Sequence, residues 1–170
     1  MNEFAKYRPC AGHSLNLVGV TAASCCEPAV SYFGFVNRLY TFFAASTHRS
    51  AVLVTSLPPR TSIVKRLADT RWAAHSVAIK SLSWLWGHIE ALDILTSDSS
   101  QTSATRNDAQ NLVKKMDKLE TVLLTQYWND TLSRFYEVSK TIQKADVNLA
   151  FVVNLLQSLK EYTRIWRVWT

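Results

Sequence analysis

LVKKMDKLETVLLTQYWNDTLSRFYEVSKTI, residues 112–142, decides the fold class. Leu112, Met116, Leu119, Leu123 and Tyr127 recur at three- and four-residue intervals, and Trp128, Leu132, Phe135 and Ile142 carry the pattern on. A period near 3.6 marks a helix with one apolar face, whereas a half-buried strand alternates every second residue. The stretch reads as two helical faces on one continuous rod.

The same period extends outward. Downstream, Asp146 is placed to cap a last helix on which Leu149, Val152, Leu156, Leu159, Tyr162, Trp166 and Trp169 share a face. Upstream, TSDSSQTSATRN (residues 96–107) reads as a flexible connection. Before it, Asp69-Thr70 caps a helix from Arg71 to about Leu95, with Ala78, Leu82, Leu85, Ile89 and Leu92 as its buried stripe. Leu57-Pro58-Pro59-Arg60 is a loop, preceded by a short helix reaching Val54. Glu27-Pro28 opens another helix, since proline is tolerated in the first turn. Val30, Phe33, Asn37, Tyr40 and Phe43 fall on its expected face. Leu15, Val18 and Ala22 give a helical spacing between Ala11 and about Ser24, weakened at Gly19 by about 1 kcal/mol relative to alanine. Tyr7-Arg8-Pro9 is compatible with the end of a strand.

Composition agrees with an all-α chain. Of 170 residues, 48% are hydrophobic and 19% charged, with only four glycines and four prolines. That excludes a disordered tail and disfavours a turn-rich β-sandwich. The formal net charge of +6 suits a polyanionic partner without demanding one, because no run of five basic residues occurs. Cys10, Cys25 and Cys26 are odd in number, and two are adjacent, which is no disulfide framework. No apolar run reaches 18 residues, and MNEFAKYRPC has no signal-peptide core, so the expectation is a reduced, soluble, intracellular chain without a membrane span.

The chemistry-bearing residues are sparse. CAGH places Cys10 and His13 three apart, but His48, His75 and His88 lie on other helices and no CxxC completes a zinc site. No GxSxG, P-loop or GxGxxG motif is present. Glu90 and Asp93 share a helical face, which reads as solvated surface rather than a metal site. No metal or other cofactor is expected. In LADTRWAAHSVAIKSL, Arg71-Trp72 opens a helix. There the indole either packs as a corner of the core or stacks on an unpaired base while Arg71 and the helix N-terminus meet phosphate.

Four segments together, CAGHSLNLVGV (10–20), SYFGFVNRLYTFFAASTHRSAVL (31–53), RLADTRWAAHSVAIKSL (66–82) and WNDTLSRFYEVSKTIQKADVNL (128–149), resemble the central region of hAT-superfamily transposases. The likeness is to the group described as MYM-type or TTF-type zinc-finger proteins. It implies an RNase H-like core with a D-D-E set of acids, into which a large helical domain is inserted before the last acid. By that resemblance, residues 1–26 are a remnant edge of the core and residues 27–170 a helical insertion-like domain, incomplete at its C-terminus. Cys10 and His13 match the family's C-x-x-H motif, whose histidine lies near the scissile phosphate. Trp72 matches the tryptophan that holds a flipped base, with Arg71 beside it.

The departures are as informative. The family's first two acids lie upstream of C-x-x-H, where this sequence has only Glu3, and its third lies beyond the helical insertion. Thr21, Ser50 and His75 stand where relatives commonly carry other residues. Two-metal chemistry has no carboxylates to run on. The resemblance therefore implies a truncated, catalytically inactive, nuclear protein with residual DNA binding. The alternative is a helical module that binds itself or another protein through tryptophan-rich faces, notably Trp84, Trp86, Trp166 and Trp169.

Overall fold

A computed structural model of the chain describes residues 11–24, 26–59, 61, 63, 72–144 and 146–166, without the side chains of residues 11, 16, 20, 23, 72–74, 165 and 166. Eight helices occur among them: α1 (Ala11–Ala23), α2 (Glu27–Ala44), α3 (Thr47–Ser56), α4 (Trp72–Leu82), α5 (Leu85–Ser97), α6 (Ser103–Met116), α7 (Leu119–Ile142) and α8 (Leu149–Trp166). No strand is found among the described residues, so the chain is all-α there. Tyr7–Pro9 lies outside them.

Helix α2 is the spine. Glu27 and Pro28 form its first turn, where proline loses no helical hydrogen bond and a carboxylate faces the positive end of the dipole. Its buried residues are Ala29, Tyr32, Phe33, Phe35, Val36, Leu39, Phe42 and Phe43. The expected face therefore needs correction: Val30 and Asn37 are exposed, and the covered arc is wider. Neighbours on several sides cause this. Phe33 meets His75 of α4 and Trp128 of α7, and Phe43 meets His88 of α5. Arg38 reaches Asp108 of α6 in an exposed ion pair at 2.9 Å, worth little in water.

The expected rod over 112–142 is broken. Helix α6 ends at Met116 and α7 begins at Leu119, with Asp117 and Lys118 forming an elbow. The Thr121 hydroxyl donates to the Lys115 carbonyl at 2.7 Å across that elbow. The break resets the helical phase. Leu119 and Leu123, expected in the core, are 71% and 59% exposed, while Thr121 and Thr125 point inward. The two threonines are tolerated there because each is bonded. Tyr32 Oη donates to Thr125 Oγ1 (3.0 Å), and Thr125 Oγ1 donates to the Thr121 carbonyl (2.7 Å). Burial pushes the Tyr32 phenol above its ordinary pKa, against the smaller opposing effect of Thr125.

The expected helix over 71–95 is also two. After Leu82 the Ser83 hydroxyl donates to the Lys80 carbonyl at 2.7 Å, and the Trp84 amide donates to the Ser81 carbonyl. These bonds satisfy carbonyls that a continuing helix would have used. Helix α5 then turns away and packs between α3 and α6, while α4 packs on α7. The connection over 96–107 shrinks to a short turn. There Asp98 accepts the Ser100 amide (2.8 Å), and Thr102 caps α6 by accepting the Thr105 amide (3.2 Å). Asn148, rather than Asp146, sits before α8 and accepts the Ala150 amide at 2.8 Å. Helix α1 lies on α7 and touches α2 and α4, and α8 packs on α7 through the buried Leu159. No described helix is long and apolar enough to cross a membrane.

Candidate interaction site at the corner between α4 and α5

The residues singled out by resemblance are not brought together among the described residues. His13 sits exposed on α1. Cys10 and Arg71 lie outside the description, as does the side chain of Trp72, the first residue of α4. Cys26 is a free, exposed thiol. No group of three or more His, Cys, Asp or Glu side chains able to hold a metal ion occurs among the described residues. His75 is buried with its ring edge-on to Phe33, a packing role. Glu90 and Asp93 are solvated.

The feature that stands out is the corner at Ser83-Trp84. Trp84 is 53% exposed and Trp86 is 83% exposed. Indoles bury large area when they are in a core, so two open ones two residues apart mark the corner as a candidate contact region. The corner is fixed from below. A Cβ on Gly87 would lie 2.7 Å from the Ser56 carbonyl oxygen and 3.0 Å from Leu57 Cδ2, so only glycine lets α5 approach the end of α3 this closely. His88, fully buried, anchors the turn through Nδ1 at 3.0 Å from the Trp84 carbonyl. A carbonyl only accepts, so Nδ1 carries the proton. Nε2 is then an acceptor, and it is buried without a partner among the described residues. Burial pushes the His88 pKa down, outweighing the upward effect of the Trp84 carbonyl.

Pro58, Pro59 and Thr61 of the α3–α4 connection face Val77, Lys80, Ser81 and Trp84 across a cleft of about 450 Å³, a size in the small-ligand range. Ser81 is 2% exposed, and its hydroxyl has no hydrogen-bond partner among the described residues. Among the described residues, Lys80 is the one charged residue lining this cleft. Leu57 is buried beside the two prolines, which carry the chain off the end of α3.

Sequence reading marked Trp84, Trp86, Trp166 and Trp169 as more indole than a small core hides; Trp84 and Trp86 are open, while Trp169 and the side chain of Trp166 lie outside the described residues. It missed the cleft. Gly87, a glycine inside a helical pattern between Trp86 and His88, signals only the close approach of α5 to the end of α3. Comparison with protein-family models, with curated proteins and with solved structures gives no match to the chain.

Proposed function

We propose that the chain works by binding rather than by catalysis, as a helical interaction module whose contact face is the corner carrying Trp84 and Trp86. The observation that carries this reading is the 83% exposure of Trp86 on a helix held rigid at Gly87. Open indoles are the composition of a binding hot spot, where a few aromatic residues supply most of the energy. The test is affinity purification with the tagged full chain and with a Trp84→Ala/Trp86→Ala variant of unchanged thermal midpoint. Proteins retained by the first and reduced about tenfold with the second support the reading. Identical recovery with both removes it.

A second reading, residual nucleic-acid binding by a catalytically inactive transposase-derived chain resident in the nucleus, has its own observation. Half of the excess charge is local: residues 60–71 hold Arg60, Lys65, Arg66 and Arg71 against Asp69, immediately before Trp72. Anisotropy of labelled duplex and single-stranded DNA at rising salt tests it. Affinity that falls steeply with salt and weakens in Trp72→Ala supports it. No binding at low salt ends it.

A further inference from the structure

We propose that the groove between α2 and α6 binds an elongated small-molecule dianion, an apolar body with an acidic group at each end. This site is separate from the corner carrying Trp84 and Trp86 and goes beyond the module reading. The fold treats two glycines differently. Gly87 is required by packing, because a Cβ there would strike the Ser56 carbonyl. A Cβ on Gly34, in the middle of α2, would meet nothing within 4 Å. Glycine destabilises a helix interior relative to alanine, and packing gives no reason for this one. Its effect is a notch in the wall of a groove of about 370 Å³. Phe35 and Leu112, both buried, lie at the base of that groove.

The groove carries a cation toward each end. Arg38 marks one end, where it pairs with Asp108 of α6. From that pair the groove runs toward Ser31 and Lys115. Asp108 and Lys115 are seven residues apart on α6, two turns or about 10 Å. Neither cation is used up by its acid. The bond to Asp108 engages Nη2 of Arg38, and a guanidinium has five donors. Glu120 Oε2 lies 3.9 Å from Lys115 Nζ, beyond hydrogen-bond distance. The last carbonyls of α6 oppose an anion weakly, since Val113 accepts the Asp117 amide and Lys115 accepts the Thr121 hydroxyl. A ligand with acidic groups about two turns apart meets both cations with charge-assisted hydrogen bonds, whereas a single acid meets one. Its apolar middle crosses Phe35 and Leu112 at the notch, beside the Asn111 amide, where a methyl on residue 34 would stand in the way.

The experiment titrates the nitrogen-15-labelled full chain with suberate, octanoate and succinate and follows the backbone amide signals. Suberate is long enough to reach both cations, octanoate offers one carboxylate on a chain of the same length, and succinate is too short. Suberate is expected to shift Gly34 and Asn111 with a dissociation constant of about 1 mM, in keeping with a ligand of a dozen heavy atoms. It should bind about fivefold more tightly than either control. Arg38→Gln and Lys115→Gln each remove that advantage. Gly34→Ala keeps or raises the thermal midpoint, since alanine is the better helix former, yet weakens suberate about fivefold. The Trp84→Ala/Trp86→Ala variant binds suberate unchanged. Absence of shifts at about 10 mM suberate overturns the proposal. So does equal affinity for suberate and octanoate, because only one end is then read. Undiminished binding in Gly34→Ala also overturns it, because the notch is then unused. Tighter binding of oligothymidylate at the same residues overturns it as well and assigns the groove to a nucleic-acid backbone.

Discussion

The seam between α2 and α7 and the corner between α4 and α5 both bury polar groups, and they treat them oppositely. In the seam each hydroxyl has a partner: Tyr32 donates to Thr125, Thr125 to the Thr121 carbonyl, and Thr121 to the Lys115 carbonyl. At the corner the Ser81 hydroxyl and His88 Nε2 are buried with none among the described residues, and two indoles stand open. A satisfied polar chain fixes one packing arrangement, which suits a scaffold. Exposed aromatic surface, by contrast, suits contact with something else. On the proposed reading, the seam supplies structural specificity and the corner supplies the contact.

The sharpest way to break this contrast is to take a partner away in the seam. Thr125→Val keeps shape and removes the acceptor of the buried Tyr32 proton. Urea unfolding is expected to show a loss of about 1–3 kcal/mol. Adding Tyr32→Phe removes the stranded donor and is expected to recover a good part of that loss, because both polar partners are then gone. A double variant as unstable as the single one would mean that the hydroxyls do not act as a chain.

At the corner the corresponding change is steric. Gly87→Ala puts a methyl against the Ser56 carbonyl oxygen, and backbone cannot swing aside as a side chain does. Overpacking of this kind costs about 1–3 kcal/mol, and alanine's better helix propensity returns about 1 kcal/mol. The expected net loss of about 1 kcal/mol is read from denaturant midpoints. If Gly87→Ala stabilises the chain instead, α5 is not pinned to α3 there and the corner is not rigid.

These two regions also differ in how far they could be read from sequence. Helix α2 and the all-α class follow from period and from Glu27-Pro28. The facing of α7 does not. Leu119 and Leu123 continue the apolar series of α6, so periodicity places them inside. Two elbow residues and one hydroxyl-to-carbonyl bond turn the helix and put Thr121 and Thr125 there instead. Such a bond joins groups whose meeting depends on three-dimensional packing, and it leaves no periodic trace. The break at Ser83 is similar, since serine is common inside helices and only its bond to the Lys80 carbonyl makes it a stop. Trp84 and Trp86 were visible because their number exceeds what a core of this size holds. The cleft was not, because Pro58 and Ser81 are brought together only by the fold.

Acid tests the corner with a smaller expected effect. The His88 pKa is lowered in the folded state from an ordinary value of 6.5, with burial as the main cause. Above that value the imidazole is neutral in both states. As pH falls below it, the unfolded chain takes up the proton first. Stability is therefore complete above about pH 6.5 and declines on acidification, at no more than about 1.4 kcal/mol per unit for one group. Urea midpoints at pH 7.5 and 5.5 should differ, with the lower pH less stable, and the difference should shrink in His88→Gln. An equal slope in that variant would assign the acid sensitivity to other groups and leave His88 as packing alone.

The smallest effect on stability belongs to Trp86→Ala, and it separates the two regions most cleanly. At 83% exposure the indole gives up little burial when removed, so the thermal midpoint should shift by the equivalent of about 0.5 kcal/mol or less. An indole of equal size in the seam, Trp128, is 6% exposed and packed against Phe33. Its truncation should cost about 3–5 kcal/mol. A residue whose loss leaves the fold intact but abolishes partner capture is present for contact. If Trp86→Ala instead unfolds the chain as Trp128→Ala does, the indole is covered in solution by another part of the protein or by a second copy. The open face at the corner would then be a part of the core.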